Sequence, residues 1–318
     1  MAFFMAKMML AFSAISQTNI FSEAACTEDF WPCTCHNQIT STNHSRLVML
    51  CDDIKNIEIV FYVFQRIPTQ DIYALHITIP ESVKGYTFSD FYFKSNVVRN
   101  IHLTCQSSET GIFFYNRAFT STNKLYLEHI QTDNCNGGYH TLSAEFRFLT
   151  KLTFSRAISP DLVYLPKSVT MLNITHSPEF QGVNLNGNPN DIIFPQLISL
   201  AIDYCSRVTN FVFLSHLPYL QRFFLNGNKM NDSAVADALN CLKLNTKETL
   251  LTLSLMDNGL TRIPETKIFS NLTDLMLDKN NITKLTNSSL QHFGSQLRIL
   301  SLSSCGMELI EPGFFEGW

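Results

Sequence analysis

Charge is scarce in this sequence: Lys and Arg number 23 and Asp and Glu 27 among 318 residues, a net charge of −4 with no basic run. A protein that grips nucleic acid or an anionic bilayer needs a dense positive patch, so neither partner is expected. Long apolar runs are missing as well. No stretch beyond the N-terminus approaches the roughly 18 consecutive apolar residues that a membrane-crossing helix requires, and the C-terminal end has no hydrophobic tail for a lipid anchor. Membrane insertion is therefore not expected. The motifs that betray chemistry are also missing, with no GxSxG, no HExxH and no phosphate-cradling glycine loop. The sequence gives no reason to expect enzyme activity, a cofactor or a metal site.

What is present is one pattern written twice. Leu250, Leu253, Leu255, Asn258 and Leu260 recur 22 residues later as Leu272, Leu275, Leu277, Asn280 and Ile282. The alternation LTLSL fits the two-residue period of a strand, not the 3.6-residue period of a helix. It sends Leu253 and Leu255 to a core and leaves Thr252, Ser254 and Met256 outward. Each asparagine can pair the backbone groups that a turn leaves open. One such coil cannot bury its apolar edge alone, so coils must stack. This is the leucine-rich repeat, and it predicts a single α/β solenoid with a curved parallel sheet on its concave side, although length alone would suggest about two domains.

Strands are expected around Leu75, Ile101, Leu125, Leu152, Leu172, Leu200, Phe223, Leu253, Leu275 and Leu300, about ten coils spread over residues 56–318. The longest step, from Phe223 to Leu253, holds DSAVADALNCLKLN, where Val235, Leu239 and Leu242 share a helical face. Phe119, Phe146, Phe269, Phe293 and Phe315 fall at return-leg positions and are expected to stack as an aromatic spine. Cys205 and Cys305 take the asparagine position, where a small buried thiol serves as a filler. Cys105 and Cys135 are candidates for a bridge across neighbouring coils. With nine cysteines, an odd count, at least one has no partner within the chain.

Residues 1–24 carry one cation, Lys7, then an apolar run and small residues before Ala25, the layout of a cleaved secretory signal. Residues 25–55 form a cysteine-rich cap with Cys26, Cys33, Cys35 and Cys51, two disulfides for which spacing allows three pairings. A structural zinc site is the competing reading, disfavoured by an oxidising compartment and the lack of a CxxC pair. Leu47 to Leu50 are expected as the edge strand. The sequence ends at MELIEPGFFEGW without a C-terminal cap.

Large outward side chains mark the concave row as a protein-binding surface: Tyr126, Met171, Arg222, Phe224, Met256, Asp274, Met276, Asp278 and Ile299. His76 and His102 stand side by side on the same row, with Tyr126 and Glu128 expected next. Two imidazoles are too few for a metal site, and a solvated strand face is preferred. Sequons stand at Asn43, Asn173, Asn231, Asn271, Asn281 and Asn287. All but Asn173 fall in turns or loops, and a glycan on Asn173 would obstruct the middle of the concave row.

The cluster around PCTCHNQ resembles the N-terminal cap of extracellular leucine-rich repeat proteins, and that resemblance implies the pairs Cys26–Cys35 and Cys33–Cys51. With its leader, its cap, its degenerate early repeats and its clearer late ones, the chain is similar to arthropod secreted leucine-rich repeat proteins of the kind that includes the non-catalytic subunit of shrimp luciferase. The resemblance implies a binding or stabilising chain whose catalytic partner is separate. The expectation is a secreted, non-enzymatic scaffold that takes another protein on its concave face. Its alternatives are a matrix component like the small leucine-rich proteoglycans or a shed recognition-receptor ectodomain.

Overall fold

The computed structural model describes residues 33–314 apart from 40–44, 53–54, 67–70, 89–91, 94–96, 115–117, 120–125, 137–145, 159–165, 183–193, 243 and 293–294. The leader, Cys26, Asn43, Leu125, Phe293 and Phe315 lie outside the described residues. Twelve strands form one sheet: β1 (Thr34–Ile39), β2 (Ser45–Cys51), β3 (Asp71–Ile79), β5 (Val97–Cys105), β7 (His129–Asp133), β8 (Lys151–Ser155), β9 (Met171–Thr175), β10 (Ser199–Asp203), β11 (Arg222–Phe224), β12 (Thr252–Ser254), β13 (Asp274–Met276) and β15 (Ile299–Ser301). All neighbours pair in parallel except β1 with β2, which form an antiparallel hairpin. The chain is a leucine-rich repeat solenoid.

The central inward residues run unbroken from Met49 through Leu75, Ile101, Ile130, Leu152, Leu172, Leu200, Phe223, Leu253 and Leu275 to Leu300. All but the last are fully buried. A buried Leu or Ile side chain is worth about 1.5–3 kcal/mol, which fixes register because a one-residue slip would turn the whole row to solvent.

Two expectations need correction. The third coil's strand lies at Ile130, paired with Ile101, and not at Leu125. The edge strand is β1, while Leu47 to Leu50 sit one strand inside it.

From β10 onward, register is locked by a polar ladder five residues after the central position. Asn280 donates from Nδ2 to the carbonyls of Leu255 (2.9 Å) and Leu277 (2.8 Å), and its Oδ1 accepts from the Asn258 and Leu260 N–H groups (both 3.2 Å). Asn258 and Asn228 repeat the arrangement one and two coils earlier. Cys205 and Cys305 fill the same place, their Sγ atoms 3.7 Å from the Ile174 carbonyl and 3.2 Å from that of Leu277. Burial pushes the Cys205 thiol up to about 11, so it stays a neutral filler. Just before the ladder the chain turns through positive φ at Asn134, Arg156, His176, Tyr204, Gly227, Asp257, Lys279 and Ser304. From Asn134 to Lys279, these residues each donate their N–H to a carbonyl of the next coil at 2.7–2.9 Å.

Between coils the chain returns through helices and short outer strands. α1 (Glu58–Arg66) follows the hairpin, and β4 (Gly85–Phe88) pairs in parallel with β6 (Gly111–Phe114) on the outer side. α2 (Asp232–Asn240) is the expected helix, capped by Asn231, with Val235, Leu239 and the following Leu242 buried. α3 (Leu244–Thr249) comes after it, and β14 (Lys284–Leu285) pairs with β16 (Leu309–Ile310). Phe64, Phe93, Phe119 and Phe146 meet in series with ring centres 5.1–5.2 Å apart, stacked between Phe93 and Phe119 and edge-to-face at the two outer contacts. Phe269 is buried in its own coil, and Phe314 is the buried aromatic of the last one.

The open face of the sheet

The parallel register aligns three outward rows on the face opposite the core. The first runs through Ala74, Asn100, His129, Lys151, Met171, Ser199, Arg222, Thr252, Asp274 and Ile299. The second runs through His76, His102, Gln131, Thr153, Asn173, Ala201, Phe224, Ser254, Met276 and Ser301. The third includes Asp203, the last residue of β10, and Asn226, Met256 and Asp278 two residues past the ends of β11, β12 and β13.

In the late coils, Phe224, Met256 and Met276 are half-buried, Arg222 is exposed and Ile299 is 52% exposed. Met171 is half-buried in the middle of the face, as is Asn173 two residues on. Asp274 accepts from the Thr273 hydroxyl at 2.6 Å.

Two of the expected surface residues serve other ends. Asp278 is buried, and its Oδ1 accepts from the Ser301 hydroxyl and the Ser303 N–H, both at 2.6 Å. Asp203 and Asn226 do the same for the N–H groups of Asn226 and Met256, so these side chains form a second ladder between coils. Tyr126 lies three residues before β7, off the sheet, with the Arg99 guanidinium 5.4 Å from its ring centre.

The early coils carry a different surface. Moving the third strand to β7 puts Gln131 opposite His102, where Tyr126 was expected, and brings in His129 diagonally from the first row, opposite Asn100. The rings of His76 and His102 are 4.4 Å apart between centres, and those of His102 and His129 are 5.5 Å apart. They line a shallow hollow of about 620 Å³ together with His36, Asn100, Gln131 and Lys151. Burial lowers all three imidazoles. Against an ordinary 6.5, His102 and His129 fall to about 4, with further push from neighbouring histidines and Lys151. Burial outweighs the nearby Asp52 carboxylate at His76.

The cap is held by Cys33–Cys51, and Cys105–Cys135 joins adjacent coils. Cys35 is also in a disulfide, while its expected partner Cys26 lies outside the described residues. Cys205, Cys241 and Cys305 are free. Among the remaining sequons, Asn231, Asn271, Asn281 and Asn287 are exposed in turns or at helix starts.

These features define a disulfide-braced leucine-rich repeat solenoid with an open sheet face. No protein-family model matches the chain, and no curated protein matches its sequence. Solved structures do match. One is TLR13 in its complex with ssRNA13, at 13% identity and a TM-score of 0.40, over 79% of this chain and 44% of that one. Another is the internalin InlF of Listeria monocytogenes, at 14% identity and a TM-score of 0.34, over 73% of this chain and 87% of that one. The chain thus spans less than half the length of the TLR13 chain it matches. Neither likeness bears on what the chain binds.

Proposed function

We propose that this chain is a secreted, non-enzymatic scaffold that binds another protein on the open face of its late coils. The observation that carries this reading is the grouping of Arg222, Phe224, Met276 and Ile299 on neighbouring strands of one hydrogen-bonded sheet, with Met256 just past the end of the strand between them. Large apolar groups on a rigid surface bind at low entropic cost, because little has to be ordered on docking.

Secretion is supported by the leader-like N-terminus, the disulfides and the exposed sequons. Among the described residues no helix is long and apolar enough to cross a membrane. In this reading residues 1–24 are removed, residues 25–55 cap the solenoid and residues 56–318 present the surface. A glycan on Asn173 would divide the sheet face and leave binding to the late coils. The resemblance to the repeat chain of shrimp luciferase makes an obligate subunit the most specific form of the proposal.

Native purification of the secreted protein, with sizing and intact-mass analysis, tests it. A second chain in fixed stoichiometry, lost on Phe224→Glu or Met276→Glu with the fold intact, is the expected result. A lone monomer would remove the subunit reading and leave a matrix component or a shed ectodomain.

A further inference from the structure

The hollow of the early coils is defined by the sign of its titratable groups. Lys151 enters it from β8, and imidazoles enter from four other strands: His36 on β1, His76 on β3, His102 on β5 and His129 on β7. No carboxylate stands in the lining, whose remaining polar groups are the amides of Gln38, Asn100 and Gln131 and the Tyr73 phenol. Arg46 adds a second permanent cation at the rim, its guanidinium 4.2 Å over the Tyr73 ring. Lys151 and Arg46 have no ion-pair partner among the described residues. The acidic groups in and beside these strands leave that balance intact. Asp52, just past β2, favours protonation of His76 and accepts from the Thr78 hydroxyl, while Asp71 and Glu128 pair with Arg99, and Asp133 with Arg156.

Like groups crowded this way lower one another's affinity for protons. After burial, the largest cause, His76 and Lys151 act on His102, and Lys151 and His102 act on His129, which keeps both rings neutral until about pH 4. A carboxylate among them acts the opposite way, since an opposite charge within about 4–6 Å moves a pKa by roughly one to three pH units toward the charged form. The rings then take up protons as the carboxylate binds, and by linkage mild acid tightens the complex.

The layout suits a chain of anions better than a single one. From β1 to β8 the hollow crosses six consecutive strands, about 24 Å at roughly 4.8 Å per step, and the basic groups are strung along that length. About seven residues of extended polypeptide cover it. The lining holds no arginine, the side chain whose planar fork grips phosphate at two points, so its single-point donors fit carboxylates better than a nucleic-acid backbone.

We infer that the early-coil hollow is a docking surface for an extended acidic segment of another polypeptide, rich in Asp and Glu and bound more tightly in mild acid than at neutral pH. This surface lies on other coils than the late-coil surface, and neither reading depends on the other.

The probe is a labelled seven-residue glutamate peptide, capped at both ends, titrated into the full chain near pH 7.5 and near pH 5.5 at one ionic strength and read by fluorescence anisotropy. Glutamate, with a pKa of about 4.3, stays charged at both. With each of two imidazoles raised by about two pH units, affinity should be roughly tenfold higher in the acid sample. Lys151→Gln should weaken binding at both pH values, and His102→Gln and His129→Gln should each reduce the pH effect. Lys284→Gln, which removes an exposed cation from β14, should change neither. Proton NMR of the unaltered protein keeps the result independent of variant folding: the His102 and His129 titration midpoints should move up when the peptide is present. No saturable binding near pH 5.5, equal affinity at the two pH values, or binding indifferent to both Lys151→Gln and His102→Gln would overturn the inference. Tighter binding of an oligothymidylate of equal charge would do the same, by making phosphate the preferred ligand.

Discussion

At the scale of single residues, this fold depends on buried polar groups whose partners belong to other coils. Asn280 is the clearest: its amide serves five backbone groups, three of them on the preceding coil. Replacing it with Ala strands those groups away from water, at a cost of about 1–3 kcal/mol for each group left unpaired. Asn280→Ala should lower stability by at least about 2 kcal/mol in a denaturant titration. The opposite change is available at Thr132, whose buried hydroxyl has no hydrogen-bond partner among the described residues. Thr132→Val keeps the shape and removes the orphan, and should raise the melting temperature by a few degrees.

The histidines set a pH dependence with a definite sign. Unfolded imidazoles take up protons as pH falls through about 6.5, whereas His102 and His129 in the folded chain resist until about 4. The unfolded state binds more protons across that window, so stability is intact above pH 6.5 and declines toward pH 4. Thermal melts across this range should show the decline, and His102→Gln should flatten it.

At the scale of elements, the bracing is strongest where the repeat is least regular. Cys105 and Cys135 close a loop of sequence separation 30 between β5 and the turn after β7, a constraint worth about 3–4 kcal/mol on chain-entropy grounds. Paired Cys105→Ser and Cys135→Ser substitutions should bring early unfolding to this half, seen as faster amide exchange in β5 and β7 than in β12 and β13. A turn of the late coils has its own weak point. Gly227 adopts φ +65°, and a Cβ there would lie 2.2 Å from the Tyr204 ring, so Gly227→Ala should destabilise through both strain and collision.

The late coils were legible in the sequence because LxxLxLxxNxL states strand, core face and ladder together. The third coil was misplaced because NKLYL imitates the strand motif by itself. Its register is set by Cys135 at the ladder position, and counting five residues back from that cysteine gives Ile130. The same count locates Leu200 from Cys205 and Leu300 from Cys305, so the signal was present. The hairpin strand β1 carries no such mark, since TCHNQI has no apolar alternation and forms by extending β2. The approach of His129 to the His76 and His102 pair was hidden by the register error, not by any lack of residues. Asp278 reads as an outward charge from strand alternation alone; its role in tying one coil to the next depends on the position of Ser303 two residues beyond β15.

At the scale of the molecule, the open face divides into two surfaces of different chemistry. The early coils present neutral imidazoles and amides around a hollow, and the late coils present Phe, Met and Ile beside Arg222. Met171 and Asn173 lie between them. The central claim is that the second surface is where a partner protein sits. Hydroxyl-radical footprinting of the natively purified complex, compared with the chain freed of its partner, addresses it directly because Met and Phe are among the groups such radicals modify. The account predicts protection of Phe224, Met256 and Met276, with Phe148 and Tyr219, exposed side chains outside the strands, unchanged. Equal labelling of the three in both samples, with protection elsewhere on the solenoid, would contradict it.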